Sequence, residues 1–329
     1  MSAAEGRRLV LVVGVGRSGT SLLSGILGQL GFHIPQPEVS ADDTNPRGFG
    51  EPRWAVDFHS RLLRERRVTV NDARPAAWEK TGAAADVPSV RGELREWLAG
   101  QFTGGGAIVV KDPRTVWFLP LWLRCAADLG VPTSFVTMLR HPAEIVASAR
   151  RSYGTWQTDA SRTAAWLNMM LETEHGTRGA PRAFVRYEDL LADWVAEIRR
   201  IGPPIEVPQL TAVERTPQVD RFVDPTLHRS RVRWDELDVP DRVRDIADDV
   251  WGQVQDLATG GPTGPAELDA ARAAYVALYG EAEAIAQSSV TAAKPRRRRK
   301  QPAPSLRVRI ARRIPKRYRR RIRQALGRA

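Results

Sequence analysis

The chain has 329 residues, 42% of them apolar and ten of them tryptophan, which is enough material for a large core and excludes a disordered protein. Its single cysteine, Cys125, excludes an intramolecular disulfide or a cysteine zinc cluster and predicts a reducing compartment, the cytoplasm. The net charge of +12 is unevenly placed: residues 294–329 carry 17 Lys or Arg and no acid, leaving 33 basic against 38 acidic residues, net −5, before them.

Taken in chain order, the first element is an apolar run, Leu9 to Val13, too short to span a bilayer and leading directly into a glycine turn. No signal peptide or membrane span is predicted. Further strand-like runs recur at Ala107–Val110, Thr133–Met138 and Ala183–Tyr187. Helical patterns are predicted for the segment after the glycine turn and at 52–66, 87–98, 115–129, 142–151, 161–174, 188–200 and 242–257. This alternation predicts an α/β fold with a central parallel sheet flanked by crossover helices. Phe32 to Gly50 is a long aperiodic loop, and loops of that length tend to be functional. Another irregular, basic stretch lies between Glu214 and Trp234. The last helix, 265–286, carries a stripe from Leu268 to Ile285 that suits either the body or a second copy, a homodimer. The expected organisation is one P-loop-like domain over 1–286, a basic, proline-bearing linker over 287–305 and a basic amphipathic tail over 306–329.

The turn "GVGRSGTS" fits two phosphate-binding patterns incompletely. As G-x-G-x-x-G it lacks the second strand ending in an acid that a dinucleotide site requires. As a Walker loop it has Thr20 where a lysine reaches the β- and γ-phosphates. What survives is a strand–turn–helix anion site, with backbone N–H groups, a positive helix end, the hydroxyls of Ser18, Thr20 and Ser21, and Arg17. A plain turn capped by Ser18 or Thr20 is the competing reading.

Three further strand ends carry polar residues. In "KDP", Lys111 ends a strand, Asp112 suits an N-cap and Pro113 the first helical position, although a Walker B acid would also sit at Asp112. In "LRHPAEIVAS", Arg140 leaves a strand and Ser148 lies two helical turns beyond His141, so both can grip a second anion. Tyr187 opens "YEDL" at the fourth strand end. Among groups able to take a proton, Glu51 closes the long loop, with His33, Asp57 and His59 as rivals and helix-dipole stabilisation as its plain alternative. The five histidines show no metal spacing.

Together these motifs resemble the sulfotransferase family that uses 3′-phosphoadenosine 5′-phosphosulfate, in its tyrosylprotein and bacterial glycan-type branches. The resemblance covers about residues 9–234. It implies that the loop Arg17, Ser18, Gly19, Thr20 and Ser21 holds the 5′-phosphosulfate, that Arg140 and Ser148 hold the 3′-phosphate and that Tyr187 contacts the nucleotide. It further implies that Arg17 and Lys111 stabilise the sulfuryl in transfer, that Glu51 is the catalytic base and that no metal is required. A late loop with His228, Arg229 and Ser230 resembles the family segment that closes over the donor. The acceptor implied is a hydroxyl, of a carbohydrate or glycolipid by analogy alone.

An ATP-dependent small-molecule kinase and a non-catalytic nucleotide-binding module remain as alternatives. In the tail, Tyr318, Ile322, Ala325 and Leu326 share one face of an arginine-rich segment. Such a segment suits an anionic membrane, which predicts a cytoplasmic protein peripheral at the inner membrane surface, against nucleic-acid binding or simple solubilisation.

Overall fold

A computed structural model describes residues 6–42, 45, 48–154, 156–223 and 232–293. Four strands form one sheet: β1 (Arg8–Val13), β2 (Ala107–Lys111), β3 (Thr133–Leu139) and β4 (Arg182–Arg186), in the order β2-β1-β3-β4. All three pairings are parallel, with Val12 opposite Lys111 and Val136. The strands read as continuous apolar runs because both faces are covered. Leu9, Leu11 and Val13 enter one hydrophobic cluster, while Val10 and Val12 enter the other on the opposite face.

Helix α1 (Thr20–Gln29) follows β1, and α2 (Arg53–Arg66), α3 (Ala77–Gly82) and α4 (Pro88–Gln101) fill the crossover to β2. A 3₁₀ turn, Pro113–Phe118, and α5 (Leu119–Asp128) lead to β3; α6 (Pro142–Tyr153) and α7 (Asp159–Thr177) lead to β4. Beyond it lie α8 (Tyr187–Ala192), α9 (Trp194–Ile201), α10 (Pro217–Phe222), α11 (Asp241–Thr259) and α12 (Pro265–Ala293). The chain leaves β1 toward β2 on one side and leaves β3 toward β4 on the other. The crevice between the carboxyl ends of β1 and β3 is therefore the switch point at which open α/β sheets bind ligands.

Several boundaries differ from the sequence expectation. The helix expected over 188–200 is two helices, because Asp193 leaves helical geometry (φ −149°) and its carboxylate caps α9 through Val195 N and Ala196 N. The helix expected over 115–129 begins as the 3₁₀ turn. Helices α3 and α10 fall in stretches without a helical expectation. The final helix runs to Ala293, past the expected end at 286.

The chain divides into two compact units, 1–280 and 281–329. Within the first, Leu268, Ala271 and Tyr275 of α12 are buried in the core, so this part of the stripe packs on the body. Arg272 pairs with Glu172, and the Tyr275 hydroxyl donates to the Ala73 carbonyl. The tail over 294–329, with the face of Tyr318 and Leu326, lies outside the described residues, as do His228, Arg229 and Ser230. Among the described residues, no helix is long and apolar enough to cross a membrane.

Candidate functional site

The glycine turn is shaped by packing before it meets any ligand. Gly14 (φ 133°) and Gly19 (φ 100°) occupy left-handed backbone. A Cβ on Gly14 would lie 2.8 Å from the Met138 carbonyl oxygen, and one on Gly19 would lie 2.3 Å from the Tyr187 ring. Gly16 differs: a Cβ there meets no atom of the described residues within 4 Å, although the residue lines the cleft described below. Gly19, not Ser18 or Thr20, is the N-cap of α1, and it supplies no side-chain cap. The helix start thus keeps its positive end and N–H groups for another partner. The Ser18 hydroxyl is buried with no hydrogen-bond partner among the described residues. A buried orphan hydroxyl in such a turn fits an anion-binding cradle.

The second grip meets the first. Arg17, itself at φ 74°, donates from Nε to Ser148 Oγ at 3.2 Å, and Arg140 donates from Nη1 to the Arg17 carbonyl at 3.3 Å. Arg140 is further fixed by Glu144, 2.8 Å from its Nε, and by the Tyr187 ring, whose centroid lies 4.8 Å from the guanidinium carbon. Tyr187 is the first residue of α8, directly after β4, so the ends of β1, β3 and β4 meet here.

Beside the turn, Lys111 at the end of β2 donates to Glu51 Oε1 at 2.6 Å and to Ser21 Oγ at 3.2 Å. Both members of the ion pair are buried. Burial pushes the Lys111 ammonium below its ordinary value, against the opposing attraction of Glu51. Glu51 is held by its backbone: the Ser24 hydroxyl of α1 donates to the Gly50 carbonyl at 3.2 Å, and Val39 N donates to the Glu51 carbonyl at 2.8 Å. It precedes the N-cap of α2, Pro52, and lies outside the first turn.

Asp112 caps the 3₁₀ turn through Arg114 N, and both of its oxygens are committed. Oδ1 accepts from Arg114 Nη1 at 2.7 Å, and Oδ2 lies 2.7 Å from His59 Nδ1. Trp122 Nε1 is a donor only and points at His59 Nε2 at 2.9 Å, so the imidazole proton sits on Nδ1 and is donated to Asp112. Burial works to raise Asp112, but Arg114 and His59 outweigh it and hold the carboxyl well below the usual carboxylate range. Arg114 Nη1 is also 3.7 Å from Glu51 Oε2. Of the residues weighed against Glu51, His59 is thus enclosed in this chain, while His33 and Asp57 are exposed and do not line the cleft.

These groups line one cleft of about 1,130 Å³. The turn, Glu51, Lys111, Arg140, Ser148 and Tyr187 border it, and so do Val39, Asp42, Asn45 and Phe49 of the long loop. Sequence reasoning missed Arg114 and, on α7, Arg162 and Trp166, which also line it. Arg114 was legible as the residue after "KDP"; the two α7 residues carried no motif. Arg17, Lys111, Arg114, Arg140, Arg151 and Arg162 give the wall six cations against the two acids Asp42 and Glu51, in a body that is net acidic. Such a cleft favours anionic ligands. Among the described residues, no cluster of three or more His, Cys, Asp or Glu forms a metal-binding group.

The Sulfotransferase family model matches residues 10–210. Among solved structures, the chain is similar to the sulfotransferase domain of the Synechococcus PCC 7002 olefin synthase, with 17% identity, TM-score 0.45, and 77% of this chain and 96% of that one covered. It is similar to the sulfotransferase domain from the curacin biosynthetic pathway at 12% identity and TM-score 0.44, covering 76% and 98%. A third is the sulfotransferase STF1 of Mycobacterium tuberculosis H37Rv, at 14% identity and TM-score 0.39, covering 75% and 77%. No curated protein sequence matches the chain. The family match spans more than half of the chain, which therefore belongs to the sulfotransferase family and is a transferase.

Proposed function

We propose that the chain takes 3′-phosphoadenosine 5′-phosphosulfate as donor and transfers its sulfuryl group to an acceptor hydroxyl, of a carbohydrate or glycolipid. The observation that carries the reading is the junction of two anion grips at one switch point. The uncapped start of α1 adjoins Arg17, and Arg17 is hydrogen-bonded to Ser148 and to Arg140. A donor with phosphates at both ends of one nucleoside fits two such grips. The orphan Ser18 hydroxyl and the open space over Gly16 support the fit.

In this reading Arg17, Ser18, Gly19, Thr20 and Ser21 hold the phosphosulfate end, and Arg140, Ser148 and Tyr187 hold the 3′-phosphate end. Glu51 removes the acceptor hydroxyl proton as that oxygen bonds to sulfur and the bond from sulfur to the 5′-phosphate oxygen breaks. Lys111 and Arg17 neutralise the charge gathering on the departing phosphate oxygen, so positioning and electrostatics supply the catalysis. Lys111 donates two of its three N–H groups to Glu51 and Ser21 among the described residues. Both oxygens of Asp112 are engaged, which speaks against its serving as the Walker B acid of a kinase. Trp156, 70% exposed, and Tyr153, 48% exposed, border the cleft and offer faces to a sugar ring.

Calorimetric titration with 3′-phosphoadenosine 5′-phosphate, beside ATP with Mg²⁺ and NAD, tests the donor. Tight binding of the 3′-phosphorylated nucleotide alone, weakened at least tenfold by Arg140→Ala, is expected; preference for Mg²⁺-ATP or indifference to the substitution refutes it. We also propose that the basic segment 294–329 docks the enzyme on anionic membrane, each surface-near cation adding about 1 kcal/mol. Vesicles of phosphatidylglycerol should co-sediment the full chain but not a chain lacking that segment. Equal co-sedimentation of the two would reject the idea.

A further inference from the structure

On α7, Arg162 and Trp166 stand four residues apart, hence one above the other on the same helix face, and both line the cleft. Arg162 is only 5% exposed and Trp166 is fully buried. Arg162 Nη2 donates to the Gly154 carbonyl at 2.5 Å, but its Nη1 has no hydrogen-bond partner among the described residues. The Trp166 indole Nε1 is likewise buried and unpartnered among them. The acid nearest in sequence does not answer Arg162: Asp159 Oδ2 accepts instead from Arg150 at 2.9 Å and from Asp238 N at 3.3 Å.

Two buried donors left without acceptors are costly, the more so when one belongs to a cation. Both residues line the same cleft as Glu51, on a helix that none of the proposed donor-binding residues occupies. A guanidinium N–H and an indole N–H together suit a planar group with two acceptor oxygens and a negative charge. Trp156, exposed at the same cleft just before α7, supplies an aromatic face for the ring that carries it.

We propose that the acceptor is itself an anion: a hydroxyl compound, a sugar acid in its simplest form, whose carboxylate is bound by Arg162 Nη1 and Trp166 Nε1. This rests on the sulfuryl-transfer reading, which supplies the hydroxyl acceptor, and it assigns α7 a separate task from the donor grips: recognition of a carboxylate and not of a phosphate.

The test uses the full chain and two matched probes, 4-nitrophenyl β-D-glucuronide and 4-nitrophenyl β-D-glucoside, which differ only in the carboxylate. Both are titrated calorimetrically with 3′-phosphoadenosine 5′-phosphate present, so that Arg17 and Arg140 are not open to the carboxylate. The glucuronide should bind at least tenfold tighter. Arg162→Gln should abolish that ratio, and Trp166→Phe should reduce it at least threefold. Trp166→Phe leaves the bond from Arg162 to Gly154 in place and removes the indole N–H together with the five-membered ring, so it keeps the test decisive where Arg162→Gln unfolds the loop. A merely structural role for either residue would weaken both probes alike and leave the ratio unchanged. Equal binding of the two probes, or a ratio untouched by Trp166→Phe and Arg162→Gln, overturns the proposal. Failure of the 3′-phosphorylated nucleotide to bind, with the glucuronide ratio and its loss in the variants intact, would refute the donor reading and leave the carboxylate site standing.

Discussion

The Glu51–Lys111 pair couples stability to activity, and Glu51→Gln separates the two. Lys111 is almost fully buried, and its charge is matched at 2.6 Å by Glu51. Truncating one member of a buried pair typically costs about 3–5 kcal/mol. Glutamine keeps the volume and one neutral oxygen for Lys111, so we place the loss at about 2–3 kcal/mol, or a fall in Tm of about 5–10 °C at pH 7 for a domain of this size. Burial already holds the Lys111 pKa below its unfolded value of 10.5, so between those two values the unfolded chain binds more protons. Stability contributed by this group is therefore lowest below the folded pKa and rises with pH across the window up to 10.5. Without Glu51 the ammonium loses its main attraction, the lower edge of the window drops further, and the deficit against wild type should be largest at low pH and shrink as pH rises toward 10.5. Urea unfolding across that range reads the deficit. Adding Lys111→Met to Glu51→Gln removes the stranded ammonium and should restore most of the stability but none of the sulfuryl transfer, for which loss of the base costs about 10²–10⁴-fold. A loss under about 0.5 kcal/mol at pH 7, or a deficit that the second substitution does not relieve, would refute the pair as described.

The glycines of the turn should separate by function. Gly16→Ala should leave Tm within about 2 °C of wild type while weakening 3′-phosphoadenosine 5′-phosphate binding, because its Cβ meets no atom of the described residues and Gly16 lines the cleft. Gly19→Ala, at φ 100° and against Tyr187, should instead destabilise the fold, by about 1–3 kcal/mol in urea unfolding; equal behaviour of the two would contradict the turn geometry. His59→Ala removes a donor to Asp112 and should raise the Asp112 pKa toward its unfolded value. Because a depressed carboxylate stabilises above its unfolded pKa and loses that contribution as pH falls through the folded one, the variant should unfold at a higher pH in acid titration followed by circular dichroism. Unchanged acid unfolding would show that His59 does not support Asp112.

The sheet was legible because its strands are buried on both faces and so write themselves as unbroken apolar runs, Leu9–Val13 being the plainest. Helix α3 was not, since six residues make no periodic signal and its support is tertiary: Trp78 stacks on Trp117 at 4.0 Å and donates to Asn168, ninety positions away. The break at Asp193 was hidden because apolar spacing continues across it, and only the backbone turn makes it a cap. In the site, Lys111, Arg140 and Tyr187 were legible as polar residues at strand ends, which is a topological rule. Their partners were not: the contact of His59 with Asp112 joins positions 53 apart, and that of Arg17 with Ser148 joins positions 131 apart. In the sequence alone the two anion grips therefore stand apart, and His59 stands as a rival to Glu51.

Three of the six cations of the cleft are paired with acids of the protein itself: Lys111 with Glu51, Arg114 with Asp112, Arg140 with Glu144. Each partner fixes an orientation, so the field at the switch point is set before any ligand arrives and little of it must be reorganised afterwards. The arrangement also accounts for the proposed base and the proposed stabilising cation being bound to each other. Glu51 in its carboxylate form is what makes a buried Lys111 tolerable, and a protonated Lys111 is what makes a buried Glu51 tolerable. When Glu51 accepts a proton its hold on Lys111 weakens, and the ammonium is then drawn to whichever oxygen nearby is gaining negative charge. In the proposed transfer that oxygen is the departing phosphate, so proton removal at one end of the reaction strengthens charge stabilisation at the other through a single 2.6 Å contact.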